Sequence, residues 1–313
     1  MLMGTIVETS YFGNLTQVDE PKVLIIPTPY EYTTSHIKGT RNGPQAILNA
    51  SKHLEFFDDE LWTDISRLGI NTTNFLNCEF VNNTSTQPFS EVEEEVRKTV
   101  IKGSLPIVIG GEHSITFGSI KAIYDLYPDL SILHLGASPN LKSSFQNNRF
   151  NHSCIFRQTC ELMPDLKIIH LGTRVISKEE KEWLETNNTN TEIFWGRDKN
   201  TWNIADILSS LTKNVFLSVD FNVFDTSVLP TISRPDPGGL SWEEITNILK
   251  NVCTFKDIVG MDFVEYAPLQ GLQATDFLAA KLIYKLIGYA FARALGVFEE
   301  EKSVLVTSEL ESD

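Results

Sequence analysis

Seven short apolar runs, rich in β-branched residues and scarcely interrupted by polar ones, constrain the fold of this chain more than any other feature. They are KVLIIPTPY (22–30), LPIVIGG (105–111), LSILHL (130–135), LKIIHLG (166–172), EIFW (192–195), NVFLSVDFNVF (214–224) and DIVGMDFVEY (257–266). A strand with one wet face alternates apolar and polar residues, whereas a strand covered on both faces, as in a parallel sheet, reads as a continuous apolar run. Helical patterns lie between the runs. In SEVEEEVRKTVIKG, Ser90 is placed to cap, Glu93 completes an S-x-x-E capping box, Val92, Val96 and Val100 form a stripe, and Gly103 ends the helix. LSWEEITNILKNVC repeats the scheme with Ser241 and Glu244. Such alternation predicts a parallel sheet sandwiched by helices. No repeat, linker or break in composition divides residues 1–313, which read as one domain; 299–313 form an acidic tail expected to fray.

Charge narrows the partners. The chain has 41 acidic and 26 basic residues, a net charge of −15, which repels nucleic acid and anionic membrane surfaces. The longest apolar run, FLAAKLIYKLIGYAFARALGV (277–297), is interrupted by Lys281, Lys285 and Arg293 and reads as a core-facing amphipathic helix instead of a membrane span. The opening of the chain, MLMGTIVETSYFG, has no basic stretch followed by an apolar one, so no secretory signal and a cytoplasmic location are expected. Four scattered cysteines without CxxC spacing argue against a disulfide framework or a zinc site.

In an open α/β sheet, ligands bind outside the carboxyl ends of the strands. The polar stretches fall there: GGEHS follows PIVI, HLGASPN follows LSIL, DFNVFD follows VFLSV, and VEYAP follows DIVGMDF.

Those residues carry a resemblance. IPTPYEYTTSHIKGTRNGPQAIL is similar to the agmatinase pattern PYxxTxSxxxGxRxGPxAI, and GGEHSIT resembles the first metal motif of the ureohydrolases, the family of arginase and agmatinase. SVDFNVFD with its downstream PDPGGLSW resembles the motif SxDxDxxD and the PxPGGL that follows it. VGMDFVEYAP resembles the segment with the substrate-binding glutamate, and ATDFLAAKLIYKLIGY the terminal helix. The resemblance spans nearly the whole chain. It implies a three-layer α/β/α sandwich with a mostly parallel sheet of about eight strands, the arginase-like fold, and assembly as a homo-oligomer, trimer or hexamer, with an active relative as one candidate partner.

One motif departs from the pattern. The family's DAHxD is replaced by Gly136-Ala137-Ser138-Pro139-Asn140, and in the later motif Asp220 is kept while the next aspartate has become Asn222. Carried over position by position, His113 and Asp220 are the remaining metal positions; Gly136, Ser138, Asn140 and Asn222 stand where the family has ligands. Two manganese ions carry four positive charges, and one carboxylate undercompensates them. Neutral amides bind a hard cation more weakly than carboxylates do. The implied complement is no resident cofactor, or at most one weakly bound Mn²⁺ or other divalent ion on His113 and Asp220, with Asn140 and Asn222 as further oxygen donors.

The remnants of the pocket are Glu265, at the family's guanidinium-pairing position, His152 in NHSCIFR, and Asp225. A planar guanidinium suits bidentate pairing with a carboxylate, so Glu265 and His152 are the candidate substrate-binding residues. Each has a plainer reading. His113 reads equally as a residue steadying the Gly110-Gly111 turn, Glu265 as a salt-bridge partner, and His134 and His170, which close apolar runs, as core residues. Asp220 in an apolar strand needs a cation or backbone donors. The leading expectation is a catalytically degenerate ureohydrolase homologue with a regulatory, structural or ligand-binding role. The alternative is a hydrolase of a guanidino or amidino compound such as agmatine with a rebuilt or mononuclear site. A third is a metal-free binder of a guanidinium compound through Glu265.

Overall fold

A computed structural model describes residues 10–187 and 189–297, so the acidic stretch 299–313 lies outside the described residues. In chain order the strands are β1 (Val23–Thr28), β2 (Phe57–Asp58), β3 (Thr63–Asp64), β4 (Ile70–Thr72), β5 (Leu105–Gly110), β6 (Leu130–Leu135), β7 (Lys167–Thr173), β8 (Thr191–Trp195), β9 (Asn214–Asp220) and β10 (Asp257–Val264). The helices are α1 (Gly43–Ser51), α2 (Ser90–Ile101), α3 (Thr116–Tyr124), α4 (Ile155–Leu162), α5 (Lys178–Thr186), α6 (Ile204–Ser210), α7 (Trp242–Phe255) and α8 (Gln273–Phe291). β2 and β3 pair as a small antiparallel hairpin. The other eight strands form one sheet in the order β4-β1-β5-β10-β9-β6-β7-β8, and every neighbouring pair is parallel.

The seven apolar runs become β1 and β5 to β10. Every position of β5 and β6 is buried, which is why their sequences show no alternation. Two apolar cores flank the sheet: α1, α6, α7 and α8 pack on one face through residues such as Leu48, Ile207, Leu249 and Ile283, and α2, α3, α4 and α5 on the other through Val92, Ile120, Phe156 and Trp183. This is the three-layer α/β/α arrangement the resemblance implies. The last two runs overshoot their strands. After Asp220 the chain turns through a short 3₁₀ segment, Phe221–Val223, and after Val264 it leaves the ladder at Glu265.

One capping expectation holds and another fails. Ser241 Oγ accepts from Glu244 N, and Glu244 Oε2 accepts from Ser241 N at 2.7 Å, a complete capping box on α7. The box expected at Ser90 does not form: Phe89 holds the cap position at φ +59°, and Ser90 lies inside the helix. The cause is packing. Phe89 is fully buried edge-on to Tyr30, which fixes how the chain enters α2, and the Glu93 carboxylate is taken by Arg97 and Lys121.

The lysines that interrupt the apolar run of α8 hold the hairpin. Lys285 Nζ donates to Asp58 Oδ1 at 3.1 Å and to Glu60 Oε2 at 2.7 Å, and Tyr289 Oη donates to the same Glu60 oxygen. No described helix is long and apolar enough to cross a membrane.

Replacing Ser241 by Ala is expected to lower stability by about 1 kcal/mol, and replacing Ser90 by Ala to change it by less than about 0.5 kcal/mol. Urea unfolding midpoints of the two variants check the contrast.

Candidate active site at the ends of the central strands

β5, β10, β9 and β6 are neighbours in the sheet, so their carboxyl ends open onto one region. A cleft there is lined by Ser138, Asn140, His152, Asp220, Asn222 and Glu265 among others. Six of the positions singled out in the sequence thus share one cavity. Gly136 and His113 lie close behind it, and Asp225 stands apart: its carboxylate accepts from the backbone of Ser227, Gly238 and Gly239 and fastens the PDPGG loop. A bond from the Ser227 hydroxyl, followed by those backbone bonds, holds its pKa down at about 2.

Glu265 follows β10 directly. Its backbone lies at φ +68°, in the left-handed region that favours glycine, held there as its N–H donates to Gly111 O and its carbonyl accepts from Ser233 N. The side chain is buried, and Oε1 accepts from His113 N at 2.6 Å. No salt bridge reaches it among the described residues. Burial first, then the charge of Asp220, pushes its pKa up to about 8.

Asp220 ends β9. Oδ1 accepts from Asn222 N at 2.8 Å, and Oδ2 lies 3.6 Å from His113 Nδ1. Burial opposes a charge on His113, but Asp220, Asp262 and Glu265 outweigh it and raise the pKa. His113 Nε2 meets Ser218 Oγ at 3.2 Å, and Nδ1 meets the Asn140 amide at 3.1 Å. Asn140 is also left-handed, at φ +51°. The Asn222 side chain is committed elsewhere: Nδ2 donates to Ser233 Oγ and Oδ1 accepts from Arg234 N at 2.8 Å. His152 is half-buried. Its Nδ1 is 3.1 Å from Thr33 Oγ1, and burial, with His113 adding repulsion, lowers its pKa to about 4.

Gly136 sits at the end of β6. A Cβ there would lie 2.3 Å from Nε2 and 2.4 Å from Cε1 of His134, so the imidazole tip stands where a side chain at 136 would begin. The His134 ring is 5.0 Å from that of His113, and ligand-capable atoms of His113, His134 and Asp220 all lie within 4.8 Å of one another.

Two groups escaped the sequence reading. Glu112 is fully buried, and its carboxylate accepts from the backbone of Tyr32, Thr33 and Thr34 and from the hydroxyls of Thr33 and Ser114, tying the first loop to the β5 end. Asp262 is buried inside β10, and burial raises its pKa to about 6. A charged residue in a run covered on both faces was the available signal for it.

The sequence model of the Arginase family matches residues 21–288. The chain belongs to the arginase family. It is 33% identical over 287 residues to the N(1)-aminopropylagmatine ureohydrolase of Synechocystis, covering 88% of this chain and 91% of that protein. It is 30% identical to the agmatinase of Pyrococcus horikoshii, over 87% of this chain and 93% of the relative. The solved agmatine ureohydrolase of Thermoplasma volcanium superposes with a TM-score of 0.79 at 26% identity, covering 88% of this chain and 92% of that one. Arginase-family proteins normally use manganese, and the donor atoms here can be weighed against that. A two-ion set does not fit, since Gly136 offers no donor and the Asn222 amide is engaged with the 233–234 loop. A single ion does fit the two nitrogens and one carboxylate of His113, His134 and Asp220.

Gly136→Ala is expected to destabilise the arginase-family fold by about 1–3 kcal/mol, because the new methyl must displace the His134 ring. In a His134→Ala background that cost should largely vanish, which a double-mutant cycle of unfolding free energies measures.

Proposed function

We propose that this chain acts on a small guanidino or amidino compound of the agmatine class, held through Glu265 and hydrolysed from a rebuilt site with at most one divalent ion. The observation that carries this reading is the Glu265 carboxylate: buried, lining the cleft, bonded to a backbone N–H but to no cationic side chain, and beside the N, N, O cluster. The relatives of Synechocystis and Pyrococcus horikoshii, an N(1)-aminopropylagmatine ureohydrolase and an agmatinase, support the substrate class.

In this reading Glu265 pairs with the amidine plane, and Asn140 and Ser138 border the bound group from the β6 loop. His152, neutral at pH 7 and held through Nδ1 by Thr33, offers Nε2 as a proton acceptor. A divalent ion, when bound, would supply Lewis-acid polarisation and a more acidic water. A second reading, a catalytically silent homologue kept for ligand binding or regulation, is favoured by the replacements at Gly136, Ser138, Asn140 and Asn222. Urea release from agmatine and N(1)-aminopropylagmatine, assayed with a panel of divalent ions, separates the two. Turnover supports hydrolysis; calorimetric binding without turnover supports the silent homologue; absence of both overturns the guanidinium reading altogether.

Glu265→Gln is expected to weaken agmatine binding about 10- to 100-fold, as loss of a charge-assisted pair of about 1.5–3 kcal/mol implies. With metal removed, affinity should rise as pH passes upward through about 8, because the cation needs the ionised carboxylate and burial holds the proton on Glu265 below that pH. Isothermal titration between pH 6 and 9 measures both effects.

A further inference from the structure

We propose that the single ion is held by a histidine outside the family's ligand positions, Nε2 of His134, together with His113 and Asp220, in the space that Gly136 leaves open. This rests on the reading above that the site takes at most one ion, and it names the atoms.

Three observations converge. The tip of the His134 ring occupies the volume of a side chain at 136, with Nε2 2.3 Å from where that Cβ would be. His134 is fully buried, and its Nε2 has no hydrogen-bond partner, an unmet lone pair or N–H in a setting where buried polar atoms are nearly always paired. The remaining donors are already gathered: His113 Nδ1 and Asp220 Oδ2 are 3.6 Å apart, close to the roughly 3.4 Å separating two ligands that bind a tetrahedral ion at about 2.1 Å.

A fourth feature orients the ring. His134 Nδ1 and His170 Nδ1 are 2.8 Å apart, so one proton lies between them. An ion on His134 Nε2 fixes that proton on His134 Nδ1, with His170 as acceptor, the arrangement that metal-binding imidazoles generally have. His170 is thus a positioning residue. Asp220 also lines the cleft, which gives the ion its way in. Two imidazoles and one carboxylate, in place of an oxygen-rich set, favour Co²⁺, Zn²⁺ or Fe²⁺ over Mn²⁺.

The test uses the full chain, stripped with EDTA and titrated with Co²⁺, followed by visible absorption, calorimetry and proton NMR. The expected result is one ion per chain, displaced readily by Zn²⁺ and poorly by Mn²⁺, with hyperfine-shifted ring protons from two histidines. His134→Phe, which keeps an aromatic ring against Phe156, and His134→Gln should each lose at least about tenfold in Co²⁺ affinity and one set of ring signals. No uptake, uptake of two ions, ring signals from a single histidine in the unaltered chain, or unchanged affinity in both variants would each overturn the site. Should the variants fail to fold, the NMR count on the unaltered chain decides alone. Agmatine binding to the metal-free protein is a separate readout. Cobalt uptake through His134 without agmatine binding upholds this site and removes the guanidinium reading; agmatine binding without cobalt uptake does the reverse.

Discussion

Acidic side chains buried without a matching lysine or arginine govern the centre of this protein. Asp220, Asp262 and Glu265 sit at or beside the ends of β9 and β10, and His113 follows β5 next to them. Taking carboxylates out of water is costly unless they are paired, protonated or hydrogen-bonded. All three remedies are in use. His113 lies within ion-pair reach of Asp220, burial holds the proton on Asp262 up to about pH 6 and on Glu265 up to about pH 8, and backbone N–H groups of Asn222 and His113 donate to Asp220 and Glu265. A region so arranged gains when a cation arrives, whether a guanidinium or a metal ion. The parallel sheet makes it unavoidable, since four adjacent strands deliver their polar ends to the same place.

The β6 end sets the donor atoms on its side of the cleft. A carboxylate at 136 would have supplied charge; a glycine there instead admits the His134 ring. In the single-ion reading proposed above, a neutral nitrogen donor stands where a carboxylate would add charge, which leaves a coherent set for one ion. On that reading the glycine at 136 and the imidazole over it are one structural feature seen from its two sides. Asn222 is tied to the neighbouring loop: its amide Nδ2 donates to Ser233 Oγ and its Oδ1 accepts from Arg234 N.

Much of this was legible in the sequence. Continuous apolar runs gave seven strands with their direction, because burial on both faces leaves a compositional mark that survives without an alignment. β4 was missed because its three residues, Ile70–Thr72, carry too little pattern, and the β2–β3 hairpin because it is held by charges from α8 that lie more than two hundred residues away in the chain. The capping signal misled at Ser90 and held at Ser241, although the two stretches look alike. What differs is Phe89, whose burial against Tyr30 sets the backbone before any cap can form. In the site, the departure from the family pattern at 136, 138, 140 and 222 was plain. The position of His134 was not: that its ring leans over Gly136, one residue beyond β6, and is tied to His170 is a matter of side-chain rotation.

The same geometry explains why ligand binding and metal binding can part company in this chain. Glu265 owes its place to β10, to Gly111 O and Ser233 N on its backbone, and to the His113 N–H on its carboxylate. None of these bonds is made by residues 136, 138 or 140, so changes at those positions leave the Glu265 carboxylate where the strand puts it. Its left-handed backbone adds to the argument. A non-glycine residue at φ +68° costs energy that surrounding bonds must meet, and here they come from Gly111, in the loop after β5 that carries His113, and from Ser233, in the segment that follows Asp220 at the end of β9. The Glu265 carboxylate and the donor atoms of His113 and Asp220 are thus fastened to one another through backbone, which holds the buried acid beside the N, N, O cluster.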